Sequence, residues 1–468
     1  MKDDSGSASG GDSLSHPAAT RLVQVDGLAA PQRYWAFAAV MSTVTLATMD
    51  ATIANVALPT ISRDFRATPT DSIAIVSAYQ LAMVVLLLPL SKLGEIFGYR
   101  RVYLSGIAIF TAASLACVLS HSIAMLTVAR ILQGVGAAGI SSTNTALIRY
   151  IFPQANLGKG VGLNSMAVAI ASTIGPSFAG IMLAFASWQW LFLINLPLGI
   201  VAFAIGWRNL PESDHAKQRF DIPSALLTAI AFGMLIVTIQ SFSHPTGWPT
   251  RVAQIGVGCG ALVWAVRRQL GLPAPLLPVD LLRRPVFGLS VGTSICSFTA
   301  QMLAFVSLPF FLERNLGLDV TTTGLLITPW PLSVAITAVI SGRLADRYPA
   351  SILNCLGLAA MMAGLVLLGF LPPHPGIVDI ALRMALCGAG FGFFQPPNNR
   401  VILTAAPRTR SGAASGTISS ARLLGQGTGA ALAALLLAHA GAQGAVLSLF
   451  AGAGFAGLAA VLSLLRAV

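Results

Sequence analysis

The sequence predicts an all-α integral membrane fold of about fourteen transmembrane helices, arranged as two six-helix bundles with two inserted helices, on three observations. First, 55% of its 468 residues are apolar and only 9% are charged, whereas a water-soluble chain carries about 25% charged residues. Mean hydropathy is +0.77, so folding in water would leave large bare apolar patches. Second, apolar runs of about twenty residues, the length that crosses the hydrocarbon as a helix, recur from residue 34 to the C-terminus. Third, Lys and Arg concentrate in alternate connections between those runs, as the positive-inside rule requires.

Taken in order, the first six spans fall at about 34–58, 71–92, 101–120, 122–148, 157–185 and 188–208. Two more lie at about 221–243 and 250–269. The last six lie at about 287–312, 320–345, 350–371, 377–400, 411–438 and 443–466. With the N-terminus inside, about 21 basic residues fall inside, 4 outside and 3 (Arg130, Arg383, Arg422) within spans. Dropping one span scrambles that asymmetry, so both termini are expected to be cytoplasmic, on a cell (inner) membrane. The Ser-, Gly- and Asp-rich residues 1–33 lack the apolar core of a signal peptide and read as a disordered cytoplasmic tail.

Two echoes displaced by eight spans point to an internal repeat. Ser91-Lys92-Leu93-Gly94-Glu95 follows span 2, and Gly342-Arg343-Leu344-Ala345-Asp346 follows span 10. Arg130-Ile-Leu-Gln-Gly-Val-Gly in span 4 is matched, offset by one residue, by Arg383-Met-Ala-Leu-Cys-Gly-Ala-Gly in span 12. The expected organisation is a six-helix bundle over 34–208, two inserted helices and linkers over 209–286, and a second six-helix bundle over 287–468.

The net charge of +12 does not indicate nucleic acid, because the basic residues occur singly or in pairs between apolar runs. Five cysteines, all within apolar stretches and without CxxC spacing, support neither a disulfide framework nor a metal site. No cofactor motif is present, and Gly158-Lys159-Gly160 does not complete a Walker A loop. An ion gradient is therefore the expected energy source. No catalytic residue is assigned: the spans carry no nucleophile–base pair or metal cluster, so a membrane-embedded enzyme is the distant alternative.

Charges inside a bilayer are costly, which makes those that occur functional candidates. Asp50 is the single acid well inside a span. Asp50 and Arg130 both lie about eight residues from the outer ends of their helices, roughly 12 Å deep. Tyr79, Gln80 and the Gly175-Pro176 dipeptide fall at that level too. Two readings stand. Asp50 is a proton acceptor whose affinity is set by burial against the charge of Arg130, or the two form a permanent ion pair that orders the bundle. Gly175 and Pro176 predict a kink or close crossing. Gln395, Asn398 and Asn399 either contact cargo or satisfy neighbouring backbone, and Arg422 is equally open.

Met49-Asp50-Ala51-Thr52-Ile53-Ala54-Asn55-Val56-Ala57-Leu58-Pro59 resembles the first-span signature of the fourteen-span drug:proton antiporters of the major facilitator superfamily. Leu93-Gly94-Glu95-Ile96-Phe97-Gly98-Tyr99-Arg100-Arg101 is similar to that superfamily's cytoplasmic loop motif, and Arg130-Ile131-Leu132-Gln133-Gly134 to its span-4 motif. The Gly175-Pro176 segment, Trp188–Pro197 and Phe394–Asn399 also resemble family segments. The resemblance covers residues 34–466. It implies Asp50 and Arg130 in proton and substrate coupling, Gly175 and Pro176 in an antiporter bend, and Glu95, Arg100, Arg101 and Asp346 in a cytoplasmic latch. Polar groups of the spans are expected to line a substrate cavity: Asn55, Tyr79, Gln80, Gln133, Gln395 and Asn398. The chain departs from the pattern at Ser91 and Glu95, where the loop motif has Gly and Asp.

The function expected from these features is export of amphiphilic drugs or toxic small molecules in exchange for protons, by alternating access. The alternative is proton-coupled import or export of a small nutrient or metabolite. Expected partners are amphiphilic small molecules, protons and the lipid bilayer, with a periplasmic adaptor left open.

Overall fold

The structure is a computed structural model and describes residues 27–66, 69–213, 220–241, 247–270, 275–318, 320–372, 375–439 and 443–466. Most of the expected N-terminal tail, residues 1–26, lies outside the described residues. The first half of the chain forms α1 (Ala30–Asp64), α2 (Pro69–Phe97), α3 (Tyr99–Val118), α4 (Ile123–Ile151), α5 (Leu157–Phe185), α6 (Gln189–Leu193) and α7 (Asn195–Asn209). There follow α8 (Ile222–Ser241), α9 (Trp248–Gln269) and the short α10 (Val279–Leu282). The second half forms α11 (Pro285–Phe310), α12 (Val320–Ile327), α13 (Pro329–Leu344), α14 (Ala350–Gly369), α15 (Ile377–Ala405), α16 (Ser411–His439) and α17 (Gly444–Leu465).

The chain is thus an all-α, multi-pass membrane protein. Among the described residues, eleven helical stretches are long and apolar enough to cross a membrane. Helices α8, α9 and α16, of 20, 22 and 29 residues, add three of comparable length. Two stretches expected as single helices are interrupted. Thr328 separates α12 from α13, where Pro329 and Pro331 supply no N–H to the preceding turn. Ile194 separates α6 from α7, just before Pro197. Helix α1 runs six residues past its expected outer end, to Asp64. Between α2 and α3 the chain reverses at Gly98, whose φ of +96° is a left-handed conformation that a side chain would strain.

Matching glycine contacts occur at the two sequence echoes that contain Arg130 and Arg383. A Cβ at Gly134 on α4 would meet the Tyr79 carbonyl of α2 at 2.6 Å. A Cβ at Gly388 on α15 would meet the Trp330 carbonyl of α13 at 2.1 Å. Two residues on, Gly136 lies against α3 and Gly390 against α14 in the same way. Both glycine pairs belong to the Arg130 and Arg383 echoes. Without an aqueous driving force, helices in lipid associate by close backbone approach of this kind.

The halves interlock at the end of the array where α2 and α4 finish and α5 and α16 begin, here termed the basic end. Helix α5 packs on α13, and α16 on α2 and α4. The two contacts are related by the repeat. Gly158 and Gly162 of α5 lie against Gly342, and Gly412 and Gly416 of α16 lie against Ser91.

Replacing Gly388 by Val is expected to cost about 1–3 kcal/mol through overpacking against Trp330. It should lower the thermal midpoint of the detergent-solubilised protein. Gly256→Val on α9, where a Cβ would meet nothing within 4 Å, should leave the midpoint unchanged.

Candidate functional site

Asp50 sits on α1 at the heart of the first half, 3% exposed, facing α3, α4 and α7. Its Oδ2 accepts from Arg130 Nη1 at 2.5 Å. Its Oδ1 accepts from Gln133 Nε2 and from Asn195 Nδ2, each at 2.9 Å. The same two amides reach Ser114 Oγ at 2.8 and 3.3 Å. Local helix geometry makes the cluster. Arg130 and Gln133 stand one turn apart on α4 and so share a face, and Arg130 Nη1 also donates to Gln133 Oε1 at 2.5 Å. Asn195 opens α7 at the interruption, where its side chain is free to turn inward.

Arg130 is fully buried, yet its Nε and Nη2 have no hydrogen-bond acceptor. Aromatic rings cover it instead. Its guanidinium carbon lies 4.1 Å from the Tyr79 ring centroid and 5.6 Å from that of Phe192. A cation on a π face is attracted to the ring quadrupole, but the guanidinium remains incompletely satisfied. Loss of the negative charge on Asp50 would leave it without a counter-ion among the described residues.

The remaining expected residues divide. Gln133 and Asn398, expected on a cavity wall, are both fully buried with their amides engaged. Asn398 donates to Ser294 Oγ at 2.8 Å and to the Ser290 carbonyl at 3.1 Å, and accepts from Arg466 at 3.0 Å. Tyr79 is buried beneath Arg130, Gln80 is exposed, and Gln395 is half-buried without a hydrogen-bond partner among the described residues. Gly175 brings α5 against α1, since a Cβ there would fall 2.1 Å from Thr52 Oγ1. The side chains of Asn55 and Pro176 lie outside the described residues.

At the basic end the two repeated acids do the same thing across the halves. Glu95 of α2 accepts from the backbone N–H of Ala413, in the first turn of α16, at 2.8 Å. Asp346 accepts from the N–H groups of Gly158 and Lys159, in the first turn of α5, at 2.9 and 3.2 Å. Each carboxylate therefore satisfies open donors at a helix N-terminus of the opposite half, where the helix dipole also favours negative charge. Burial still holds the Asp346 carboxyl above the ordinary aspartate value, opposed by the Gly158 N–H, Arg400 and the Lys159 N–H. Arg100 and Arg101 do not join the halves. Arg100 donates to the Trp207 carbonyl and pairs with Glu212 at 3.5 Å, both within the first half, and Arg101 is exposed. The bases at Glu95 are Lys92 at 3.0 Å and Arg410 at 3.2 Å.

Sequence reasoning missed Asn195, Ser114, Lys92 and Arg410 as members of these clusters. Asn195 carried a signal: it is a single amide in the apolar run Leu191–Gly199. Ser114 carried none, because serine is common in membrane helices.

Asp50→Asn is expected to destabilise the fold by about 3–5 kcal/mol, because it strips a buried cation of its counter-charge. The double variant Asp50→Asn/Arg130→Gln should recover more than half of that loss. Thermal unfolding in detergent measures both, and equal loss in the single and double variants would contradict the pairing.

Comparison with known proteins agrees with this geometry. The family model for the Major Facilitator Superfamily matches residues 40–430 and 289–468. The chain is 52% identical to the uncharacterized transporter YebQ of Escherichia coli K12, over 95% of this chain and 98% of that protein. It is 33% identical to the multidrug resistance protein Stp of Mycobacterium tuberculosis, over 83% of this chain and 73% of Stp. It is 28% identical to the riboflavin transporter RibZ of Clostridioides difficile, over 83% and 84% of the two chains. Among solved structures, the human organic anion transporter MFSD10 superposes with a TM-score of 0.69 at 14% identity, covering 92% of this chain and 100% of that one. At that identity the likeness is one of fold alone. With the family model matched over most of its length and a relative matched almost end to end, this chain belongs to the major facilitator superfamily, a family of transporters rather than enzymes.

Proposed function

We propose that this protein is a proton-coupled secondary transporter of a small organic molecule, with fourteen spans organised as two six-helix bundles and two inserted helices. The observation that carries the coupling is the Asp50 cluster. It holds a titratable carboxylate on a buried cation, and Tyr79, over that cation, is also within electrostatic range of Arg422 on the opposite half. Protonating Asp50 removes a negative charge and leaves the Arg130 cation uncompensated. Its field then acts across the Tyr79 ring on Arg422, and repulsion between the two cations loosens the contact of α2 with α16. Proton uptake and release thus bias the contact between the halves, which is what alternating access requires.

The positive-inside rule assigns the basic end to the cytoplasm. On that assignment the interlocks of Glu95 with α16 and Asp346 with α5 form a cytoplasmic latch, and the described conformation is the one closed to the cytoplasm. Opening releases two helix N-termini and two carboxylates to water together, so the cost of exposing them is shared between the repeats. Gly175, against Thr52 two residues beyond Asp50 on α1, is the proposed bend through which α5 follows.

For cargo, transport of a nutrient or metabolite is the first reading, in line with a relative named for riboflavin. Export of amphiphilic drugs is the second, favoured by the 33% identity to a multidrug resistance protein. Purified protein in liposomes loaded with a pH-sensitive dye distinguishes them. Riboflavin-driven proton movement supports the first, and ethidium-driven movement the second. Asp50→Asn is expected to abolish proton movement with either solute. Undiminished coupling in that variant would overturn the role given to Asp50.

A further inference from the structure

Arg422 has no place in the ion-pair cluster or in the latch. It stands eleven residues into α16, roughly 16 Å along the helix at 1.5 Å per residue, well away from either end. It is half-buried and makes no hydrogen bond or ion pair among the described residues. Among the described residues, the titratable group within electrostatic range of it on a neighbouring element is Tyr79 of α2, whose ring covers Arg130. Asp50 cannot serve it, because that carboxylate is spent on Arg130, Gln133 and Asn195. Every other intramembrane arginine of the described chain is paired: Arg130 with Asp50, and Arg383 with Asp379 at 2.8 Å.

Its position on α16 gives this free cation a direction. Ile418 and Ala421, immediately before it, belong to the same apolar core as Tyr79, against which Met83 also packs. These residues close the contact between the halves on the basic side. Arg422 follows that apolar floor one helical turn beyond Ser419, whose hydroxyl donates to the Ser141 carbonyl of α4 at 3.3 Å, so this face of α16 is turned toward the first half. A guanidinium presents a planar fork of donors that matches a carboxylate or sulfonate, and a membrane-buried charge without a partner is costly to keep.

We infer that Arg422 recognises an anionic oxygen of the cargo, so that this transporter carries organic anions with an apolar body. The inference rests on the proton-coupled reading above and narrows its substrate class. An anion seated on Arg422 neutralises one of the two cations flanking Tyr79. Cargo and proton then act on one contact with opposite signs: protonation of Asp50 raises the local positive charge, and the bound anion lowers it.

The test uses two dyes built on one xanthene frame, anionic fluorescein and cationic rhodamine 123, with the full-length protein in liposomes under an imposed pH gradient. Wild-type protein is expected to move fluorescein at least tenfold faster than rhodamine 123. Arg422→Gln should cut fluorescein transport at least tenfold, and Arg422→Lys should restore a third or more of it. If Arg422→Gln aggregates, Arg422→Met, which keeps the packing of the stem, replaces it. Preference for rhodamine 123, or fluorescein transport unchanged in Arg422→Gln, overturns the assignment, as does an Arg422→Lys variant no better than Arg422→Gln. If neither dye moves while riboflavin or ethidium still drives proton movement, the anion assignment fails and coupled transport stands. If no solute moves protons, the transport reading falls and takes the assignment with it.

Discussion

A carboxylate and a guanidinium shut inside a helix bundle, 2.5 Å apart and both essentially without solvent, set the terms for the rest of this protein. Taking two charges out of water costs several kcal/mol per ion, and their attraction repays this only with good geometry and further hydrogen bonds. Asp50 meets that condition through Gln133 and Asn195. Arg130 does not meet it, having two nitrogens that face ring carbon rather than oxygen. The pair is therefore stable in one charge state and poorly prepared for the other. A fully satisfied ion pair would be a structural staple. One with an unsatisfied cation is a group whose surroundings must rearrange when its partner takes a proton.

The second constraint is that the halves must hold together firmly and still separate. A large apolar interface would do the first and prevent the second. The chain instead uses two small, equivalent contacts, each pairing glycines on one helix with a small residue on the other and one carboxylate with the open N–H groups of a helix start. A helix N-terminus exposed to water is well solvated, so breaking such a contact exchanges protein donors for water donors at modest net cost. Glu95 adds Lys92 and Arg410, the latter also bound to Asp280 at 3.0 Å, which ties the segment carrying α10 to the same closure.

Much of this was legible in the sequence, and the reason is the solvent. Lipid forces helices of a set length and forces basic residues to the ends, so the all-α, multi-pass membrane class could be read from apolar runs and charge alone. The repeat was legible because close packing in lipid needs small residues at fixed places, and Gly134, Gly388, Ser91 and Gly342 all lie in the echoes. Which side of a helix a polar residue faces was not legible. Gln133 and Asn398, expected to line a cavity, turn into their own bundles instead, since that depends on helix rotation. Arg100 likewise sits in a matching motif yet binds Trp207 and Glu212, because the end of α7 happens to pass beside it.

The two constraints meet at Tyr79. Its backbone carbonyl is where Gly134 lets α4 approach α2, and its ring closes over Arg130. The repeat-related residue in the second half is Trp330, whose carbonyl receives Gly388 but which has no cation on its face: Phe305 packs there, with ring centroids 5.1 Å apart. The two halves thus share a scaffold and differ in charge. The first half keeps an ion pair inside itself, and the second carries on α16 an arginine, Arg422, without an ion pair among the described residues. An asymmetry of this kind is what coupling demands, because two halves with identical charges would respond to a proton identically and nothing would be transmitted between them. The single carboxylate buried midway along α1 is enough for the task, provided that the cation it balances can be felt across the boundary where the halves part.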